Sequence, residues 1–313
     1  MIGRKRASLI VGALTALGAA VVGIVVWADG AETARAPSGQ IAYSTERGDL
    51  FVVNSDGSNR RQLTRSGAGT DYNPTWSPDG RRIAFRTTRG KSFPGDTDPS
   101  NIFIINSDGS GERQLTLPHR DRRASGGLFP AWSPRGDQIA FSNGRGINLM
   151  RSDGTVTKML GIQGECSAWS PDGSRLVFCS NAIIRGAGVD NWDVFVMDAD
   201  GTHVKRLTRD PAQDYPGVWS PDGKQIVLSS ARNGTLDLYI VNADGTKLRR
   251  ITNDLGGEAA NAWLPDGKLV VALSKPGVEG PPTWVLMNAD GSDRNELPQL
   301  ADAMDPIAWL RLS

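Results

Sequence analysis

The sequence predicts an all-β chain: a six-bladed β-propeller of four-stranded antiparallel blades, its ring closed by the C-terminal strand joining the N-terminal blade. Three observations carry that prediction. The string WSPDG, or a near copy, starts at Trp76, Trp132, Trp169, Trp219 and Trp263, with a shortened sixth copy at Trp309. A second string (NSDG, RSDG, DADG or NADG) alternates with it, starting at Asn54, Asn106, Arg151, Asp198, Asn242 and Asn288. The composition, with 37 glycines, 18 prolines and 9 tryptophans in 313 residues, suits an ordered, turn-rich chain and excludes a helical or disordered one. The tryptophans are 56, 37, 50, 44 and 46 residues apart, which is one propeller blade per repeat.

Each repeat resolves into four short strands. A stretch of small residues leads into the tryptophan, such as Pro130-Ala131-Trp132 or Ser167-Ala168-Trp169. SPDG then turns the chain, Pro presetting φ and Gly accepting a positive one. An apolar second strand follows, as in Arg82–Arg86 or Gln225–Ser229, and a variable loop leads to a third, as in Leu50–Asn54 or Ile102–Asn106. The Asp-Gly pair is a hairpin signal into the fourth strand, which ends at Leu63-Thr64, Leu115-Thr116, Leu207-Thr208 or Ile251-Thr252. Gln40–Ser44 reads as a second strand with no first strand ahead of it, and Asp305–Trp309 as a first strand with no second after it. Together these ends complete one blade and remove the open edges of the ring.

Ahead of the repeats, Arg4, Lys5 and Arg6 precede an uncharged run from Leu9 to Ala28. Twenty helical residues span roughly 30 Å, the thickness of a bilayer core. Residues 1–28 are therefore expected to be a single-pass anchor, or a signal peptide cleaved after Val26-Trp27-Ala28; both put the rest outside the cytoplasm. Residues 29–39 read as a linker and 40–313 as the propeller. Beyond residue 28 the chain carries 32 basic against 34 acidic residues. That balance lacks the basic field a nucleic-acid binder needs.

With WSPDG, DADG or NADG, and Leu-Thr on the page, the chain resembles the TolB-type, WD-repeat-like six-bladed propellers over residues 40–313. It departs at Arg135, which replaces the turn Asp, at Leu264, which replaces Ser, and in the shortened last motif. The resemblance implies the fold and leaves the partners open. The α/β domain that precedes the propeller in the periplasmic family member, and docks its partners, is not expected here.

Function is sought on the face that collects the second–third loops and the links between blades, because binding concentrates on variable loops over a rigid scaffold. Thr87–Asn101, Leu117–Phe129 and Asn181–Asn191 are the most distinctive of these. An acid recurs four or five residues before the tryptophan, at Asp71, Glu165, Asp214, Glu258 and Asp305. Brought around one axis, these carboxylates would attract a divalent cation such as calcium, an ammonium or a peptide amine. Alternatively each serves its own turn. DADG at Asp198 lacks the Glu an EF-hand loop requires and reads as a hairpin. Cys166 and Cys179 fall opposite each other if Ser170 pairs with Arg175, which would allow a disulfide in an exported protein. His119 stands beside Arg120, Arg122 and Arg123, and His203 lies in a hairpin.

No GxSxG, HExxH or Walker loop occurs. The expectation is a non-catalytic, monomeric scaffold without a cofactor, binding a protein, peptide or envelope component, and touching the membrane only through its N-terminal segment. The competing expectation is a channel-mouth enzyme of lyase, esterase or cyclase type, metal-assisted or not.

Overall fold

The structure, a computed structural model, describes residues 39–67, 69–90, 100–116, 126–143, 145–181, 191–254 and 256–311. Among them, twenty-four strands, β1–β24 in chain order, form six four-stranded antiparallel sheets. The first strands of the blades are β4 (Asp71–Trp76), β8 (Leu128–Trp132), β12 (Glu165–Trp169), β16 (Asp214–Trp219), β20 (Gly257–Trp263) and β24 (Ala303–Arg311). They neighbour one another in order, and β24 touches both β20 and β4, so the ring is closed. Blade one is β24 with β1 (Gly39–Thr45), β2 (Leu50–Asn54) and β3 (Arg61–Gln62). Its two ends pair as expected, with Ile41 opposite Trp309 and Ala42 opposite Ala308.

The second strands lie between two blades and are buried on both faces, which explains their near-continuous apolar runs. Ile83, Ala84 and Phe85, and likewise Ile226, Val227 and Leu228, are fully buried. Tryptophans stitch one blade to the last: the Trp169 and Trp219 indole N–H groups donate to the Ala131 and Ala168 carbonyls at 3.1 and 3.2 Å. Arg82 and Arg175 stack over Trp132 and Trp219 of the next blade at 5.2 and 4.7 Å.

Repeat chemistry accounts for each motif. Ser77, Ser170 and Ser220 donate to Asp79, Asp172 and Asp222 two residues on, at 2.6, 2.6 and 2.7 Å. In the copy where Arg135 replaces the turn Asp, Ser133 donates instead to Asp137 at 2.6 Å. Burial works against the Asp172 charge, but donors from Ser170 and Ser174 hold its pKa at about 2. Gly80 takes φ +66° in the first of these turns. In all six hairpins the Asp carboxylate (Asp56, Asp108, Asp153, Asp200, Asp244, Asp290) accepts the N–H two residues later. The threonine of Leu-Thr accepts from the start of the third strand: Thr64 from Leu50, Thr116 from Ile102, Thr208 from Val194 and Thr252 from Leu238.

Every first–second strand pair carries a register shift ahead of its tryptophan. In blade four this corrects the cysteine argument. Trp169 pairs with Leu176 and Ala168 with Val177, but beyond the bulge Glu165, not Cys166, faces Cys179. The extra residue of the bulge moves Cys166 out of the expected position, and its side chain lies outside the described residues.

The leader over 1–28, His119 with its three arginines, and the middles of the three distinctive loops also lie outside the described residues. Among those described, no helix is long and apolar enough to cross a membrane.

Candidate ligand-binding site

The recurring acids do stand at the start of the first strands, yet the structure does not gather them into one set. Asp71 is fully buried, and the Arg89 guanidinium grips it through two hydrogen bonds of 2.9 and 2.7 Å. Asp214, also fully buried, takes Arg232 on both oxygens at 3.1 Å. Burial still raises the Asp214 pKa, with Arg232 and hydroxyl donors acting against it. Sequence spacing found the acids and missed their partners, although both arginines stand eighteen residues after their acid.

These pairs sit in the seams between blades, where a second acid from the preceding blade recurs. Asp193 opens the third strand of blade four, β14 (Asp193–Asp198), and is bonded by Arg206 at 2.6 Å and Thr208 at 3.2 Å. Its pKa is raised by burial, and the Asp214 charge across the seam adds to this. Asp49 has the same place in blade one, accepting from Ser66 and Gln62.

The seam between blades five and six is different. Glu258 is 1% exposed. Thr252 donates to its Oε2, while its Oε1 accepts from no donor and lies 3.8 Å from the nearest Arg294 nitrogen; the Asp254 carboxyl shares a hydrogen bond with the Glu258 carboxyl. Arg294 is engaged by Asp254. Behind them Asp237, at the start of β18 (Asp237–Asn242), has Arg250 at 2.8 Å but out of line for a hydrogen bond. Burial, and then the adjoining Asp254 carboxyl, pushes the Glu258 pKa up to about 8. At neutral pH this seam holds a proton where its sisters hold an arginine.

Glu165 is half-buried on β12, and the Asp305 side chain lies outside the described residues. Among the described residues no three His, Cys, Asp or Glu side chains come together as a metal site. His203 is exposed and pairs with Asp198 of its own hairpin at 2.7 Å. A surface pocket of about 480 Å³ lies beside blade one, lined by Glu46, Arg47, Phe51, Arg60, Pro281 and Asp302 among others. Within it Arg60 stacks on Phe51 at 4.0 Å and donates to Tyr43 and Asp302 at 2.7 and 2.5 Å.

Ring, blades and turn chemistry define a six-bladed β-propeller, and comparison with known proteins narrows it. The TolB beta propeller domain family matches residues 149–297. The Tol-Pal system protein TolB of Gluconobacter oxydans is 32% identical over 229 residues, covering 58% of this chain and 48% of that one. The uncharacterized peptidase YuxL of Bacillus subtilis is 28% identical over 163 residues, covering 50% of this chain and 21% of the relative. The crystal structure of TolB from Acinetobacter baumannii superposes with a TM-score of 0.65 at 23% identity, covering 87% of this chain and 66% of that one. Putative TolB from Agrobacterium tumefaciens gives 0.62 at 19% identity, covering 89% of this chain and all of the other. The chain is a six-bladed β-propeller, TolB-type over the matched residues 149–297. It spans between about a fifth and about half the length of these curated relatives.

Proposed function

We propose that this chain is a non-catalytic scaffold, exported by residues 1–28, that binds a protein or peptide of the cell envelope through its variable-loop face. One observation carries the reading: the buried acids of Asp71 and Asp214 are consumed by arginines of the same blade, so they hold the scaffold together and do no chemistry. What differs from blade to blade is then the loops, and binding surfaces are built from such loops. Likeness to Tol-Pal system proteins supports an envelope partner. A divalent cation such as calcium is not required, since those two carboxylates already have counter-charges.

The relatives named as peptidases favour a second reading, in which the propeller serves an enzyme. Crosslinking the full-length chain in its own cells, followed by capture and metal analysis, separates the two. The scaffold reading expects a discrete envelope partner whose capture is lost when residues 91–99 are replaced by a Gly-Ser loop. Peptide hydrolysis by the purified chain, or a cytoplasmic soluble protein retaining Met1, overturns it.

A further inference from the structure

We propose that the outer edge of blade three is a second binding surface, which takes an extended segment of a partner polypeptide as a fifth strand. It lies on the rim of the ring rather than on the loop face, and so goes beyond the scaffold reading.

Five of the six outer strands end quickly. β3 (Arg61–Gln62) and its counterparts Arg113–Gln114, Lys205–Arg206, Arg249–Arg250 and Asn295–Glu296 have two residues each, all of them polar. In blade three the outer strand, β11 (Val156–Met159), has four. It pairs with β10 (Ile147–Met150). The hairpins do not differ in length: Asn54 to Arg61 and Arg151 to Lys158 are the same number of steps.

Three residues account for the difference. Five positions into the hairpin the sister blades have Asn59, Gly111, His203, Lys247 and Asp293, all at positive φ, which swings the chain off the third strand. Blade three has Val156 there. A β-branched side chain resists the left-handed region, so the chain stays extended and Val156 pairs with Met150. Further on, Gln62, Gln114 and Arg206 bend back to donate to the carbonyls of Thr64, Thr116 and Thr208 at 2.8, 2.6 and 2.7 Å. Met159 holds that place in blade three and is 48% exposed. The threonine itself is replaced by Gly161.

The result is a longer edge without its side-chain cover. Leu160 donates its N–H to the Ile147 carbonyl at 3.1 Å, and Arg151 donates to the Thr155 carbonyl at 2.9 Å. Main-chain groups alternate sides along an antiparallel strand, so Met159 and Val156, next to these, turn their N–H and C=O outward. Between them Thr157 is the bulged residue, its hydroxyl donating to the Leu149 carbonyl at 3.2 Å. No described residue hydrogen-bonds the outward groups, and Thr157, Lys158 and Met159 are all exposed.

Such an edge is a template for another strand, and its chemistry names the segment. The outward main chain calls for extended polypeptide. Met159 calls for an apolar side chain opposite it, and Lys158, the one charge on the strand, for an acid at the next position. The bulge and the Lys158 charge keep the edge from pairing with arbitrary strands. A second copy of the ring is a poor occupant. Four residues of edge run about 13 Å, and two convex rings meeting there would bury far less than the about 1,200 Å² of a stable interface.

The test is NMR-detected hydrogen exchange on the full-length protein, titrated with acetyl-Val-Thr-Val-Glu-Val-amide. The Met159 amide should exchange more slowly as the peptide binds. The same peptide N-methylated at its central valine cannot donate to the Met159 carbonyl and should bind about tenfold more weakly. Lys in place of the peptide's Glu should weaken binding, and Lys158→Glu should reverse that preference. The double variant Val156→Asn, Met159→Gln writes the Asn59 and Gln62 pattern of blade one into blade three and should lose binding. The N-methylated peptide is tested on the unaltered protein, so it decides the matter if that variant does not fold. No protection at Met159, equal binding of the N-methylated peptide, an unchanged double variant, or a dimer of this chain paired through β11 overturns the proposal. Partner capture that depends on residues 91–99, with no peptide binding at β11, removes this site alone and leaves the scaffold reading standing.

Discussion

Asp214 and Glu258 occupy nearly the same place in consecutive blades, both buried at the entrance to a first strand. Asp214 has Arg232 on both oxygens; Glu258 has Thr252, a distant Arg294 and a carboxyl neighbour. Asp214 is half of an ion pair within its own blade. Glu258 is an acid kept neutral by its surroundings. Burial alone does not decide what a carboxylate does in this ring. The side chains set against it do.

The largest expected effect tests whether any side-chain seam rivals the seam made by backbone. Trp309→Ala, or deletion of residues 303–313, attacks the strand that closes the ring. The substitution alone should cost about 3–5 kcal/mol in urea denaturation, as for other buried tryptophans. A change within error would mean that closure through β24 contributes little.

Next comes Arg232→Ala. It leaves Asp214 buried with its main counter-charge gone and should cost about 3–5 kcal/mol at pH 7. Arg294→Ala should cost clearly less, because the proton on Glu258 already removes most of the charge to be compensated. Equal losses would erase the distinction between the two seams.

A smaller effect has the opposite sign. The Glu258 pKa is raised in the folded state, from an ordinary 4.5 to about 8. Its favourable contribution is therefore present below pH 4.5 and is lost as pH rises through 8. Glu258→Gln should be nearly neutral at pH 5 and stabilise by about 1–3 kcal/mol at pH 9, read from denaturation at both values. Stabilisation at pH 5 that vanished at pH 9 would reverse the assignment.

Least of all should follow from Asp108→Asn and Asp244→Asn. Both acids are exposed, with their pKa lowered by the hydrogen bond from Ser110 or Thr246. Melting temperatures should shift only slightly, with partner capture unchanged. Loss of capture would move the binding face to the hairpin side.

Much of this was legible in the sequence because the determinants are local and repeat. Trp, SPDG and Asp-Gly each act within a few residues, so six copies reveal six blades and even the split one. The pairing of Asp71 with Arg89 was visible only as an eighteen-residue offset across a loop. Asp137 standing in for the Asp replaced by Arg135 was hidden by a change of spacing within one turn. The cysteine geometry was lost to a bulge, which leaves no mark in residue type.

That bulge recurs in all six first strands, ahead of the tryptophan. It acts as a phase break. A β-strand inverts every side chain when one residue is added, so a change in loop length would normally be transmitted down the strand to the hub. Here the strand already tolerates an unpaired residue part-way along. Length changes ahead of the bulge can be absorbed by moving or resolving it, and the tryptophan keeps its seat. The ring can thus acquire new loops over evolutionary time while its hub stays the same, which is what a scaffold shared by proteins with different partners requires.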